Sequence, residues 1–184
     1  MATLLLNSES FLDKIKLDHT KRQIALDLLI NEHVTLLIDA SYCNVIDIPN
    51  IYKNKLLLFH SSYEKINKAC SLSLHENIYI SSANISGKPT ACYLPEVIEY
   101  MKASNYKLNM KNLLIIDGTE FQDQSIQHGS TTTIGLNKDN SLKIIRSGIQ
   151  NLLLKNVQDP KDNGLIKYAS TLENKYGTKV TIET

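Results

Sequence analysis

The segment from residue 81 to residue 90, SSANISGKPT, carries the residues with the clearest chemical potential. Ser82 and Ser86 supply hydroxyl groups, and Asn84 supplies an amide that can read the edge of a base or a ribose. Gly87 lets the backbone approach a phosphate closely, because it has no Cβ. The same residue types also dominate ordinary turns. The segment therefore indicates either a nucleotide-binding loop or a plain turn.

A second group of candidate residues lies further along the chain. Arg22 and Arg146 are the only arginines, and all other basic residues are lysines. A guanidinium group presents a planar fork that matches the oxygens of phosphate or carboxylate. The hydroxyl-rich run from Ser130 to Thr133 precedes Arg146. Taken alone, Arg146 fits an exposed charge at the end of a strand better than it fits an anion contact.

Hydrophobic patterning predicts strands and helices that alternate along the chain. The strands are short apolar runs bounded by polar residues, and the helices show apolar residues at helical spacing with serine or proline near the first turn. The predicted strands are 34–40, 55–60, 77–82, 112–119, 130–136, 141–148 and 179–183, and the predicted helices are 7–17, 19–33, 61–76, 94–105 and one ending at Tyr176. This alternation predicts an α/β fold with helices on at least one face of a mixed sheet.

The candidate loop directly follows the predicted strand that ends near residue 82. Ligands of α/β proteins bind at strand ends, because the sheet fixes the backbone there while the loop exposes its donors. The position of the loop fits the binding interpretation, although its composition alone favours the plain turn.

The string Ser82-Ala83-Asn84-x-Ser86-Gly87-x-Pro89 resembles the S-A-N-x-S-G-x-P signature of the YrdC-like threonylcarbamoyl-AMP synthase family. A chance match at six specified positions is on the order of 10⁻⁷ per start site. The later stretches LLIIDG, GSTTT and IIRSG resemble, in the same order, the family's strand ending in Asp-Gly, its Ser-Thr-rich strand and its closing I-L-R-x-G.

The resemblance implies roles for individual residues. Arg146 takes the place of the family's phosphate-contacting arginine, and Thr35 takes the place of its nucleotide-site threonine. Ser82, Asn84 and Ser86 would complete the nucleotide wall. Ser130 and Thr131 stand for the family's substrate-binding Ser-Thr pair, although the alignment within Ser130 to Thr133 is open by a residue or two.

The resemblance also implies a fold and a reaction. The fold is a twisted mixed sheet with flanking helices, and the reaction joins L-threonine, bicarbonate and ATP into threonylcarbamoyl-AMP with release of pyrophosphate. This is the first stage of the t6A modification of tRNA, so tRNA or another RNA is a further expected partner. Mg²⁺ would accompany ATP as substrate. No catalytic residue is assigned.

The sequence departs from the family pattern in two ways. Asn31-Glu32-His33 replaces a Pro-Gly-Pro turn, which predicts a loop without proline rigidity and with a carboxylate near phosphates. The P-T-E-T-x-Y-G-L and Lys-x-Arg motifs do not occur, so the fold is expected to lack the family's first strands. Residues 1–150 would form the YrdC-like domain, and residues 151–184 a C-terminal extension of linker, helix and strand.

Three interpretations of function follow. The chain is a synthase-like nucleotide-binding protein, or a non-catalytic relative that binds nucleotide, RNA or a protein partner, or one half of a split site. In the third case a second copy, a partner chain or the C-terminal strand would cover a sheet edge left open by the missing strands.

Composition excludes other classes. A net charge of +1 gives no global field for binding nucleic acid, and 42% hydrophobic content is ordinary for a globular protein. The three cysteines lack C-x-x-C spacing and the five histidines are scattered, so neither a disulfide framework nor a metal site is predicted. No apolar run approaches the roughly 18 residues of a membrane span, and the expected location is the cytoplasm.

Overall fold

A computed structural model describes residues 2–43, 53–72, 78–81, 90–91, 93–103, 129–155 and 164–183. Within these residues the chain is an α/β protein with a mixed seven-stranded sheet and flanking helices. The strands are β1 (Ala2–Leu5), β2 (Thr35–Asp39), β3 (Lys55–His60), β4 (Ile78–Ile80), β5 (Thr133–Leu136), β6 (Leu142–Arg146) and β7 (Val180–Ile182).

The helices are α1 (Ser8–Leu12), α2 (His19–Ile30), α3 (Glu64–Ser71), α4 (Leu94–Ala103), α5 (Ile149–Leu152) and α6 (Leu165–Tyr176). A short 3₁₀ turn, Ala40–Cys43, follows β2. The side chain of Asp18 accepts a hydrogen bond from Lys21 N and so caps α2. Gly177 ends α6 in the left-handed region at φ 62°, which a residue with a Cβ adopts less readily.

The strand order is β4-β1-β3-β2-β5-β6-β7. The pairs β1–β3, β2–β5 and β6–β7 are parallel, and the other three pairs are antiparallel. The centre of the sheet is thus the parallel pair of β2 and β5, whose register places Thr35 beside Thr133. The edge strands of the described sheet are β4 and β7.

The core lies on the face of the sheet that α2 and α6 cover. On β2 and β3, Leu36 pairs with Leu58 and Ile38 with Leu56, and each of these side chains is at most 1% exposed. Leu28 of α2 and Leu172 of α6 are fully buried in the same cluster. Since burying one such side chain contributes about 1.5–3 kcal/mol, this layer is what fixes the central strands.

Most predicted elements are confirmed among the described residues, with some corrections. The apolar opening, not assigned in the sequence analysis, forms β1, and helix α1 ends at Leu12 rather than near residue 17. The short helix α5 was not predicted. The predicted strand 112–119 lies outside the described residues.

The C-terminal helix and strand are confirmed at residues 165–176 and 180–182. Strand β7 pairs with β6, so the chain's own C-terminal segment covers that edge of β6. Tyr168, Leu172 and Val180 contribute to the main core cluster. The division at residue 150 is a matter of family resemblance and stays a prediction.

The chain divides into two compact units. The first unit is residues 1–81 together with 131–184, and it contains the whole sheet. The second unit is residues 82–130. Its described part contains α4, where Tyr93 O accepts a hydrogen bond from Val97 N. The oxygens Thr90 Oγ1 and Ser130 Oγ of the second unit are also hydrogen-bonded to each other.

Candidate functional site

At one end of the strands, rather than at an edge strand, the sheet brings together the termini of four central strands. The starts of β2 and β5 lie there because these strands are parallel, and the ends of β3 and β6 lie there because each is antiparallel to its neighbour. We call this the site edge; it carries Thr35, His60, Thr131 and Arg146. Three residues predicted from the sequence, Thr35, Thr131 and Arg146, therefore come together.

Direct hydrogen bonds connect these three residues. Thr35 Oγ1 lies 2.6 Å from Thr131 Oγ1, and Thr35 N donates to Thr132 O at 2.9 Å. Arg146 Nη2 donates to Thr131 O at 3.0 Å. The two hydroxyls and one edge of the guanidinium group are therefore held on a common backbone segment.

A register shift aims Arg146 at this segment. Ile134 pairs with Ile144, but the next pair is Thr133 with Arg146, so β6 carries one extra residue, Ile145. Such bulges bend a strand and redirect the side chains beside them. The bulge places Arg146 opposite Thr133, and two residues separate Arg146 from the start of helix α5.

The two arginines have different surroundings. Arg22 is held by Asp13, with Nη2 at 2.6 Å and Nε at 2.9 Å from Oδ1. Arg146 is exposed, and no carboxylate of the described residues forms an ion pair with it. Its remaining guanidinium donors can therefore face an anion without first breaking an ion pair with a described residue.

The loop of Asn31, Glu32 and His33 lies at the site edge and is held by hydrogen bonds from a side chain. His33 adopts φ 51°, in the left-handed region that non-glycine residues rarely occupy. Gln150 Nε2 donates to His33 O at 2.8 Å and to Glu32 O at 3.3 Å. Hydrogen bonds from Gln150 of α5 thus restrain a loop that contains no proline.

The carboxylate of Glu32 is compensated by a lysine. Lys175 Nζ lies 2.7 Å from Glu32 Oε1 and 2.5 Å from Asp27 Oδ2. Desolvation disfavours the charged lysine, but the two carboxylates outweigh it and raise the pKa of Lys175. Lys175 therefore reduces the repulsion that Glu32 would exert on a phosphate at the site edge.

His60 ends β3 at the site edge. Its Nδ1 lies 3.0 Å from Ser8 Oγ, and Ser8 is 2% exposed. Burial, together with His33, lowers the pKa of His60, whereas the Leu5 backbone opposes this change. His60 is thus favoured in its neutral form and adds little charge for an anionic ligand.

The remaining predicted site residues do not join this cluster within the described structure. Ser82, Asn84 and Ser86 lie outside the described residues. Strand β4 is antiparallel to β1, and its last residue, Ile80, pairs with Ala2, so β4 runs away from the site edge. Ser130 belongs to the second unit.

Gln150 and Lys175 were not predicted from the sequence, and Thr132 was considered only as a member of the run from Ser130 to Thr133. Thr132 is fully buried, and its N donates to Gln150 Oε1 at 2.7 Å. Gln150 and Lys175 act across long sequence separations and belong to no motif, so only the position of Thr132 within the Ser-Thr run offered a signal.

No three His, Cys, Asp or Glu side chains among the described residues are placed to hold a metal ion. In the same part of the chain, no helix has the length and apolar character to cross a membrane.

No protein-family model, curated protein or solved structure matches this chain.

Proposed function

We propose that the chain is a YrdC-like nucleotide-binding protein that resembles L-threonylcarbamoyladenylate synthase. Arg146 contacts a phosphate of the bound adenylate, and the hydroxyls of Thr35 and Thr131 lie beside it. The family resemblance further assigns Ser82, Asn84 and Ser86 to nucleotide binding, and Ser130 and Thr131 to binding of the threonine substrate. Residues 1–150 correspond to the family's domain.

The observation that best supports the proposal is the environment of the Arg146 guanidinium group. Its guanidinium group is fixed by Thr131 O and is not neutralised by a described carboxylate, beside a pair of hydroxyls on the central strands. Charge-assisted contacts between arginine and phosphate are among the stronger hydrogen bonds in proteins. An exposed arginine held in this way suits an anion better than it suits a purely structural role.

The reaction proposed for the site is nucleotidyl transfer to N-carboxy-threonine. The amino nitrogen of L-threonine attacks the carbon of bicarbonate, a C–O bond of bicarbonate breaks, and its oxygen leaves as water with the proton lost by the amine. A carboxylate oxygen of the resulting N-carboxy-threonine then attacks the α-phosphorus of ATP. The bond from that phosphorus to the bridging oxygen breaks, and pyrophosphate leaves with the electron pair. Arg146 would stabilise the negative charge that builds up on the phosphate oxygens.

A second candidate is nucleotide or RNA binding without turnover. Its motivation is that the 184 residues contain no Lys-x-Arg, which leaves Arg146 as the only arginine at the site edge. Transfer between phosphates depends on several positioned cations. A half-site completed by another chain would meet the same need.

Isothermal titration with ATP and AMP tests nucleotide binding. We expect Arg146→Ala to weaken the wild-type Kd about tenfold or more, because a hydrogen bond to a charged group contributes about 1.5–3 kcal/mol. Arg22→Ala is the matched control, since it removes the same charge from the ion pair with Asp13. Absence of wild-type binding at millimolar nucleotide would refute the proposal.

Pyrophosphate release separates the two candidates. The assay contains the chain, L-threonine, bicarbonate and MgATP, with omission of threonine as the control. Threonine-dependent release by the wild type, reduced in Arg146→Ala, supports the synthase. Nucleotide binding without release supports the non-catalytic candidate, and release restored by a second chain supports the split site.

The loop residues need a separate variant. Asn84→Ala is expected to weaken AMP binding, because the amide would lose a contact to the base or ribose. An unchanged Kd would restrict the nucleotide site to the cluster of Thr35, Thr131 and Arg146. Asn140→Ala, in the turn between β5 and β6, is a control for loss of an amide.

A further inference from the structure

We infer that Gln150 is a positioning residue that sets the geometry of the site edge by joining the two segments that present its ligand-facing groups. This inference rests on the proposed function for its consequence in binding, but its structural basis is independent of any ligand. The side chain lies on α5, directly after the strand that carries Arg146.

The two ends of the Gln150 amide serve different segments. Oε1 accepts a hydrogen bond from Thr132 N at 2.7 Å, in the segment that carries Thr131. Nε2 donates to His33 O at 2.8 Å and to Glu32 O at 3.3 Å, in the loop that precedes Thr35. One planar amide therefore connects two segments that are 117 and 18 residues away along the chain.

These contacts act where regular pairing of β2 and β5 begins. Thr35 N already donates to Thr132 O, so Thr132 is held through its carbonyl by β2 and through its N–H by Gln150. His33 needs support because its φ of 51° is unfavourable for a residue with a Cβ. Loss of Gln150 would release both supports together.

The turn that carries Gln150 is itself rigid. Asn151 is fully buried, and its Oδ1 accepts hydrogen bonds from Gly148 N at 2.8 Å and Ser147 Oγ at 3.0 Å. The turn begins directly after Arg146. Gln150 thus ties the Thr35 and Thr131 segments to the same short turn that fixes the end of the Arg146 strand.

Two substitutions of Gln150 distinguish a role in positioning the site from a role in filling space. Gln150→Met keeps the length of the side chain and removes both hydrogen-bonding ends. Gln150→Glu keeps an acceptor for Thr132 N, but as a carboxylate it faces the carbonyl oxygens of Glu32 and His33. Those acceptors favour the protonated form, so the introduced carboxyl should titrate above its ordinary pKa of about 4.3.

The experiment is AMP titration between pH 7.5 and pH 5, with each Kd divided by the wild-type value at that pH. The other ionisable groups near the site are Glu32 and His33 in the loop, His60 on β3, Lys175 on α6 and Arg146 on β6, and the wild-type reference accounts for them. We expect about tenfold weaker binding for Gln150→Met at every pH, from the loss of hydrogen bonds that order the site.

For Gln150→Glu we expect a similar loss at pH 7.5 and recovery toward the wild-type Kd as the pH falls, because the protonated carboxyl can again donate to His33 O. A residue that only fills space would show no such recovery. Gln23→Glu and Gln23→Met, on the exposed surface of α2, are matched controls with the expected wild-type Kd.

Amide spectra keep the inference testable if the proposed function fails. In Gln150→Met, the amide signals of Thr132, Thr35 and residues 31–34 should shift, and Thr132 N–H should exchange faster with solvent. Unchanged signals would overturn the positioning role whether or not nucleotide binds. Shifted signals with an unchanged Kd would overturn its link to binding and leave the proposed function intact.

Discussion

Tyr176 donates its hydroxyl hydrogen to Asp27 Oδ2 at 2.5 Å, next to the ion pair with Lys175. Burial opposes ionisation of Asp27, but hydrogen bonds from Lys175, Tyr176 and Asn31 outweigh it and hold the pKa of Asp27 below its usual range. A depressed carboxyl pKa stabilises the fold above the unfolded-state pKa, and this contribution is lost as the pH falls through the folded-state pKa.

We therefore expect Tyr176→Phe to lower the free energy of unfolding by about 1 kcal/mol at pH 7. The difference from wild type should shrink in acid, because protonated Asp27 no longer needs the hydroxyl as a donor to a charge. Urea unfolding at pH 7 and pH 3 measures both values. Tyr63→Phe, at a side chain 72% exposed, should change neither, and an equal effect of the two substitutions would contradict the assignment.

Cys43 is 2% exposed, and burial, with a smaller effect of the Asp39 carboxylate, raises its pKa to about 11. In a Cys70→Ser, Cys92→Ser background, the thiol should react with an aromatic disulfide reagent at pH 8 at least about a hundredfold more slowly in the native state than in urea. Rates that are equal in both states would show that the 3₁₀ turn is open.

At the scale of elements, helix α6 packs on the core through only a few buried side chains on one of its faces. Leu172 is fully buried in the core cluster, whereas Ile166 on the same helix is 77% exposed. Leu172→Ala should cost about 2–5 kcal/mol of unfolding free energy, from lost transfer energy and the cavity left behind. Ile166→Ala should change it by less than about 0.5 kcal/mol. Denaturant midpoints of the two variants measure the contrast.

The hydrophobic patterns of the sequence predicted individual strands and helices better than they predicted how these elements are arranged in the fold. The runs TLLID and KLLLFH are unbroken apolar segments of strand length, so β2 and β3 were evident. Strand β1 has only four residues at the start of the chain and offers no alternation to read. Helix α5 has only four residues, Ile149–Leu152, which is too short to show a helical period in the sequence.

The same limit applied to the site. Thr35, Thr131 and Arg146 were predicted because each lies in a recognisable stretch, and the structure brings them together. Gln150 and Lys175 could not be predicted, since their partners are carbonyls or carboxylates that only the folded chain brings near. The positions of Ser82, Asn84 and Ser86 stay predictions.

At the scale of the whole molecule, the C-terminal segment is part of the sheet-bearing unit rather than an independent appendage. It supplies β7 and the buried side chains of Tyr168, Leu172 and Val180. Removing residues 156–184 should therefore abolish cooperative thermal unfolding, measured by circular dichroism. A truncated chain that melts cooperatively near the wild-type temperature would show that residues 1–155 fold alone.

The hydroxyl pair at the centre of the sheet joins residues 96 positions apart in the sequence. A contact this distant closes a long loop, and topologies rich in such contacts fold slowly. At about 5–20 residues per second, a ribosome would need about 5–20 s to add β5 after β2. During that interval β2 lacks its parallel neighbour, so one side of a very apolar strand is open to wrong partners. The long-range pairing of β2 with β5 that builds the site edge therefore also leaves the newly made chain open to misfolding until β5 is added. A chaperone would be of most use during that interval.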